Sequence, residues 1–143
     1  MRLDLSSYTV PEIFCRANRE NAESDTDRPP VVKTLVSHVY DEKEVEIAVS
    51  LNLTNQDDFT LEDPYEFEVD MFGTFKVELE EGESISDIEK NYPGLVVNAA
   101  KMLYSGARDY LHTITGKGPF GPIKLPAGYF ATKGIEFSVA KDD

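Results

Sequence analysis

The chain has 143 residues, a hydrophobic fraction of 41% and a net charge of −13. That length and apolar content make residues 1–143 a single globular domain, able to bury roughly two-thirds of its extended surface, and exclude a disordered chain. The acidic balance excludes nucleic-acid binding, which needs a basic patch to neutralise phosphates, and no apolar run approaches the roughly 20 residues of a membrane span.

The first residues, Met-Arg-Leu-Asp-Leu-Ser-Ser, lack the apolar core of a signal peptide, and the single Cys15 has no partner for an internal disulfide. Both point to the cytoplasm. Residues 8–16 read as a weak strand that Pro11 pushes to a sheet edge. Residues 17–30 are polar, end in Pro29 and Pro30, and form a loop. A strand follows at about 31–40, then a turn at Asp41, Glu42 and Lys43. Val45, Ile47, Val49, Leu51 and Leu53 next alternate with Glu44, Glu46, Ala48, Ser50 and Asn52, giving a strand with one apolar and one wet face.

After an acidic loop closed by Pro64, a long strand runs from Tyr65 to Glu80. Tyr65, Phe67, Val69, Met71, Phe75, Val77 and Leu79 hold the odd positions; Glu66, Glu68, Asp70, Lys76, Glu78 and Glu80 hold the even ones. Gly73 interrupts the apolar side, the mark of a bend, a bulge or a tight crossing. Phe72 stands on the polar side, where it is either covered or used.

From Ser84 the period becomes helical, with capping boxes available at Ser84/Asp87 and Ser86/Glu89. Asn91, Tyr92, Pro93 and Gly94 predict a kink or a restart. Leu95, Ala99, Met102, Leu103, Gly106, Ala107, Tyr110, Leu111 and Ile114 then recur at helical spacing, and Gly116 stops the helix as the residue just past its end. Strands followed by a helix predict an α+β fold: a four-stranded antiparallel sheet and then a long helix against one face. The helix stripe exceeds what one sheet face covers, so Met102, Gly106, Tyr110 and Ile114 are assigned to an oligomer interface.

No catalytic set emerges. His38 and His112 lack Cys or acids at metal-ligand spacing, and nothing near Cys15 activates its thiol. Gly116, Lys117 and Gly118 lack the spacing and the following hydroxyl of a phosphate loop. Asp57 with Asp58, and Glu62 with Asp63, lack calcium-loop spacing, and the Asn52-Leu53-Thr54 sequon has no meaning in the cytoplasm. The expectation is a non-enzyme without metal or cofactor.

What remains is surface. Phe120, Ile123, Leu125, Tyr129 and Phe130 stand in a stretch too rich in Gly and Pro for regular structure. It completes the core, or walls a groove for extended apolar chains to which Phe72 is also assigned, or does both, with some side chains buried and others lining the groove. Glu66, Glu68 and Asp70 form an acidic row, read as a solvated sheet face or as a docking surface for a basic partner.

The order of parts from Leu103 to Phe130 resembles the SecB-like export chaperones. The resemblance rests on the Ala107-Arg108-Asp109 step, the Gly118-Pro119-Phe120 turn, the Ile123–Pro126 crossover and the terminal Phe130. Residues 67–75, Phe-Glu-Val-Asp-Met-Phe-Gly-Thr-Phe, are similar to the family's Glu-Val and Gly-Xaa-Phe strand; residues 44–51 and 8–14 resemble the strands before it.

The resemblance implies a homotetramer assembled through the long helix. It implies ATP-independent holding of non-native polypeptides, with delivery to the SecA motor in some members. Glu68 falls on the family's acidic motor-contact position. Pro11 and Cys15 stand where export members carry acids, and thirteen residues follow Phe130 where the family places another helix and an acidic tail. These departures make SecA binding weak and favour a dedicated client, such as an antitoxin. The alternative is a non-catalytic interaction or structural subunit that binds one defined protein.

Overall fold

In the computed structural model, which describes residues 1–18 and 30–125, four strands form one antiparallel sheet and a single helix lies across it. The strands are β1 (Arg2–Ala17), β2 (Lys33–Asp41), β3 (Glu46–Thr54) and β4 (Tyr65–Glu78); the helix is α1 (Ile85–Gly116). Their order across the sheet is β1-β4-β3-β2, so β1 and β2 are the two edges. The loop predicted at 17–30 falls mostly on residues 19–29, outside those described.

Alternation fixes the face of each central strand. Ile47, Val49, Leu51 and Leu53 of β3 are buried beside Phe67, Val69, Met71 and Phe75 of β4, each such side chain contributing roughly 1.5–3 kcal/mol of burial free energy. Register sets β3 directly against β4, with Leu51 opposite Met71 and Leu53 opposite Val69. Helix α1 covers this face with Ile88, Tyr92, Leu95, Val96, Ala99, Leu103, Ala107 and Leu111.

Gly73 marks a tight crossing. A Cβ there would stand 3.1 Å from Leu103 Cδ2 of α1 and 3.0 Å from Phe75 Cε2, so the missing side chain lets the helix sit down on β4.

Four expectations are corrected. The first strand begins at Arg2, not at residue 8: its register against β4 shifts between Leu5 and Ser7 and again between Thr9 and Glu12, which scrambles the alternation in the sequence. Pro11 lies within the second shift, where a missing amide proton costs no ladder bond. Val45 belongs to the turn after β2, with φ at 53°, a left-handed conformation that a β-branched residue holds only under strain.

The helix neither breaks nor restarts at Pro93; it continues through to Gly116. Of the two capping boxes, the structure uses Ser84 with Asp87. Gly116 is the last helical residue rather than the one beyond it, and Lys117, with φ at −93°, caps the end.

Beyond α1 the chain folds back. Tyr65 Oη of β4 bonds to the carbonyls of Gly121 at 2.8 Å and Thr115 at 3.1 Å and accepts the Phe120 N–H at 3.1 Å. Ile123 N–H donates to Thr115 Oγ1 at 2.8 Å, and the Phe120 ring stands edge-on to Tyr65.

Candidate interaction surface

The helix lies over β3 and β4 and reaches β1 only in part, so two apolar surfaces remain. The first is on the helix side. Leu5, Tyr8 and Ile13 of β1 face the same side as the core yet are exposed. Beside them α1 presents Met102, Tyr110 and Ile114, each about two-fifths exposed, with Gly106 half-buried. Tyr8 and Tyr110 hydroxyls approach to 3.4 Å, and an apolar cavity of about 190 Å³ opens between Leu5, Tyr8, Met102 and Gly106, floored by Met71 and Phe75. The predicted oligomer residues thus share one face, and Leu5, Tyr8 and Ile13, which the sequence left unassigned, extend it.

The second surface is the outer face of the sheet. Here the even positions of β4 lie beside the outward residues of β3 and β2: Asp70 opposite Asn52, which is opposite Leu35, and Phe72 opposite Ser50, which is opposite Ser37. Leu35 is 67% exposed and Phe72 36%. Asn52 Nδ2 donates to Glu68 Oε1 at 2.9 Å and to Asp70 Oδ1 at 2.6 Å, holding both carboxylates on one side. Glu66 pairs with Arg16 of β1 and accepts from Gln56. The acidic row is therefore split: Glu66 has a cation, while Glu68 and Asp70 have none among the described residues.

The tail residues divide. Ile123 and Leu125 are 4% and 7% exposed and belong to the core, so their side chains do not wall an open groove. Phe120 is partly buried against the same core. Tyr129 and Phe130 lie outside the described residues. The apolar composition of this segment carried no sign of which residues the Tyr65 and Thr115 hydrogen bonds would draw inward.

Leu35, like Val39 further along β2, is an outward apolar residue that sequence reasoning missed. Its signal was present: β2 carries apolar residues at both parities, Leu35 and Val39 as well as Val36 and Tyr40, which a strand with one wet face does not.

Acid–base chemistry is sparse. Burial pushes the Cys15 thiol up, which keeps it protonated and unreactive. His38 Nδ1 meets Tyr92 Oη at 2.8 Å beneath the helix. Among the described residues no group of three or more His, Cys, Asp or Glu side chains is placed to hold a metal, and no helix is long and apolar enough to cross a membrane.

No protein-family model matches the chain, and no curated protein matches it significantly. Solved structures do. The chain is similar to the Mycobacterium tuberculosis Rv1957 SecB-like chaperone, solved in complex with a ChAD peptide from the Rv1956 HigA1 antitoxin; identity is 15%, coverage 88% of this chain and 87% of that one, and the TM-score 0.52. It is also similar to a protein of unknown function from Streptococcus agalactiae, at 15% identity, covering 88% of this chain and 97% of that one with a TM-score of 0.50. The fold, a four-stranded antiparallel sheet followed by one long helix, is SecB-like.

Proposed function

We propose that this protein is an ATP-independent holdase, a cytoplasmic chaperone that binds non-native polypeptides. The observation that carries the reading is the pairing of a SecB-like fold with apolar surface left open on both sides of the sheet in so acidic a chain. Rv1957 is itself a SecB-like chaperone solved with an antitoxin peptide, which supports a polypeptide client and favours a dedicated one over general export.

In this reading Phe72 and Phe120 take part in client binding, and Tyr129 and Phe130 join them. Met102, Gly106, Tyr110 and Ile114, with Leu5, Tyr8 and Ile13, form the interface of a homotetramer. Glu66, Glu68 and Asp70 face a basic partner; SecA binding is weak, because Pro11 and Cys15 supply no charge on β1.

The test is suppression of aggregation of several unrelated denatured proteins by the full chain without nucleotide. Suppression of most of them is expected, with Phe72→Ser reducing it while the melting temperature stays within a few degrees. Suppression of none would favour a subunit for one defined partner, a reading to which the burial of Ile123 and Leu125 lends weight.

A further inference from the structure

The two edges of the sheet are unlike. β1 is interrupted by two register shifts and carries Pro11 within the second, devices that blunt an edge against further pairing. β2 has neither: its nine residues pair with β3 in unbroken register, from Lys33 opposite Thr54 to Asp41 opposite Glu46. Its lysine and its aspartate stand at its two ends, and Leu35 and Val39 between them are 67% and 42% exposed. Among the described residues no strand lies beyond it.

Backbone parity says which groups this edge offers. Asn55 N–H donates to the Phe67 carbonyl at 3.3 Å and Val77 N–H to the Val45 carbonyl at 3.0 Å, so the odd positions along β3 bond to β4. The even ones therefore bond to β2, where they meet the odd positions Leu35, Ser37 and Val39. Thr34, Val36, His38 and Tyr40 thus direct their amides and carbonyls off the sheet.

We infer that this edge pairs with the same edge of a second copy, antiparallel about a two-fold axis at Ser37, which joins two four-stranded sheets into one. The segment Lys-Thr-Leu-Val-Ser-His-Val-Tyr-Asp is complementary to itself when reversed. Lys33 falls opposite the second copy's Asp41, and Leu35 opposite its Val39, an apolar cross-strand pair made on both sides of the axis. Asp41 accepts the Lys43 and Glu44 amides through Oδ1 alone, so Oδ2 remains for that lysine; Lys33 also reaches Asp57 of its own chain at 3.2 Å and bridges the two copies. The same axis sets Thr34 opposite Tyr40 and Val36 opposite His38, the positions whose backbone groups point outward, so each pair exchanges two hydrogen bonds. An axis at Val36 would keep the backbone pairing but set Lys33 against Val39; one at His38 would set Asp41 against Leu35. A closed tetramer needs two different two-fold contacts; the face of α1 supplies one and the β2 edge the other. The pairing goes beyond the proposed function and holds whether or not clients bind.

Cysteine cross-linking of the full chain, in a Cys15→Ser background, tests the inference. Across the axis the two Ser37 Cα atoms stand about 4.5 Å apart, within disulfide range, whereas the two Leu35 stand roughly 14 Å apart along the strands. Ser37→Cys is expected to form an intermolecular disulfide at least ~tenfold faster than Leu35→Cys. Lys33→Asp or Asp41→Lys, added to Ser37→Cys, should each slow it by roughly threefold or more, because like charges then face each other. Mixing those two proteins should restore the rate, since each copy then meets its opposite charge at both ends. That recovery cannot come from folding within one chain, which keeps the test valid if a single variant weakens the fold. Equal rates at positions 37 and 35 would mean random collision, and a mixture that fails to recover would mean a different register; either overturns the inference. Ser37→Cys protein that stays unlinked while light scattering shows oligomers would put a different strand on this edge and overturn it as well.

Discussion

Single side chains hold the two ends of the helix to the sheet. At the N-terminal end Tyr92 is buried, its hydroxyl 2.8 Å from His38 Nδ1 and its ring edge-on to Tyr40. Burial, and secondarily the neighbouring Tyr40, push its pKa from 10.0 up to about 12. The folded value lies above the unfolded one, so the stability this group contributes is fully present below pH 10 and is lost as pH rises towards 12. Tyr92→Phe should therefore cost about 1 kcal/mol at neutral pH through the lost His38 bond, and should lose stability less steeply above pH 10. Urea unfolding from pH 7 to 11 measures both, and parallel curves for the two proteins would refute the assignment. Tyr65, also raised by burial, keeps part of the alkaline slope in the variant. At the other end its hydroxyl gathers the turn after α1, and with the Thr115 hydroxyl, which accepts from Ile123 N–H, it folds the segment carrying Ile123 and Leu125 back onto the core.

Among the elements, α1 has two faces with different duties. One face, with Leu103, Ala107 and Leu111, seals β3 and β4; the other, with Met102, Tyr110 and Ile114, looks past the sheet. Gly73 sets the distance between helix and sheet. Gly73→Ala must move Leu103 or Phe75 by several tenths of an ångström and should destabilise the fold by about 1–3 kcal/mol, read from the urea midpoint. An unchanged midpoint would mean that the crossing has slack. Gly106 is less clean as a probe of assembly. A Cβ there would meet Met71 Cε of the same chain at 3.0 Å, so Gly106→Leu would disturb the monomer's own packing along with any interface.

For the whole molecule, the open helix face and the uncovered strip of β1 make one continuous apolar surface, which an isolated chain would leave in water. Light scattering at micromolar concentration should return a tetramer. Met102→Lys combined with Ile114→Lys should shift it to smaller species while the helical circular-dichroism signal persists, because both side chains are exposed in the single chain. A monomeric unsubstituted protein would remove the tetramer. The charge of −13 adds repulsion between copies, so assembly should strengthen from low to moderate salt as that repulsion is screened.

The sequence by itself determined the central sheet and the helix, because their patterns are local. β3 and β4 alternate along their length, Phe72 and Gly73 of β4 apart, and the helical stripe persists across its Pro93, where packing of Tyr92, Leu95 and Val96 on the sheet outweighs the lost hydrogen bond. Where a residue's fate depended on partners far along the chain, only the tertiary structure decided it. Two bulges reverse the facing of β1 and hid its first half. The ends of the tail segment look alike in sequence, yet hydrogen bonds from Tyr65 and Thr115, 8 to 56 positions away, bury Ile123 and leave Phe120 at the rim. The division of the acidic row arises in the same way, since Arg16 lies opposite Glu66 while a neutral Asn52 lies between Glu68 and Asp70. Alternation tells which face a side chain takes; strand order and register tell what it meets there, and these are set by pairing across the sheet rather than by neighbours in the chain.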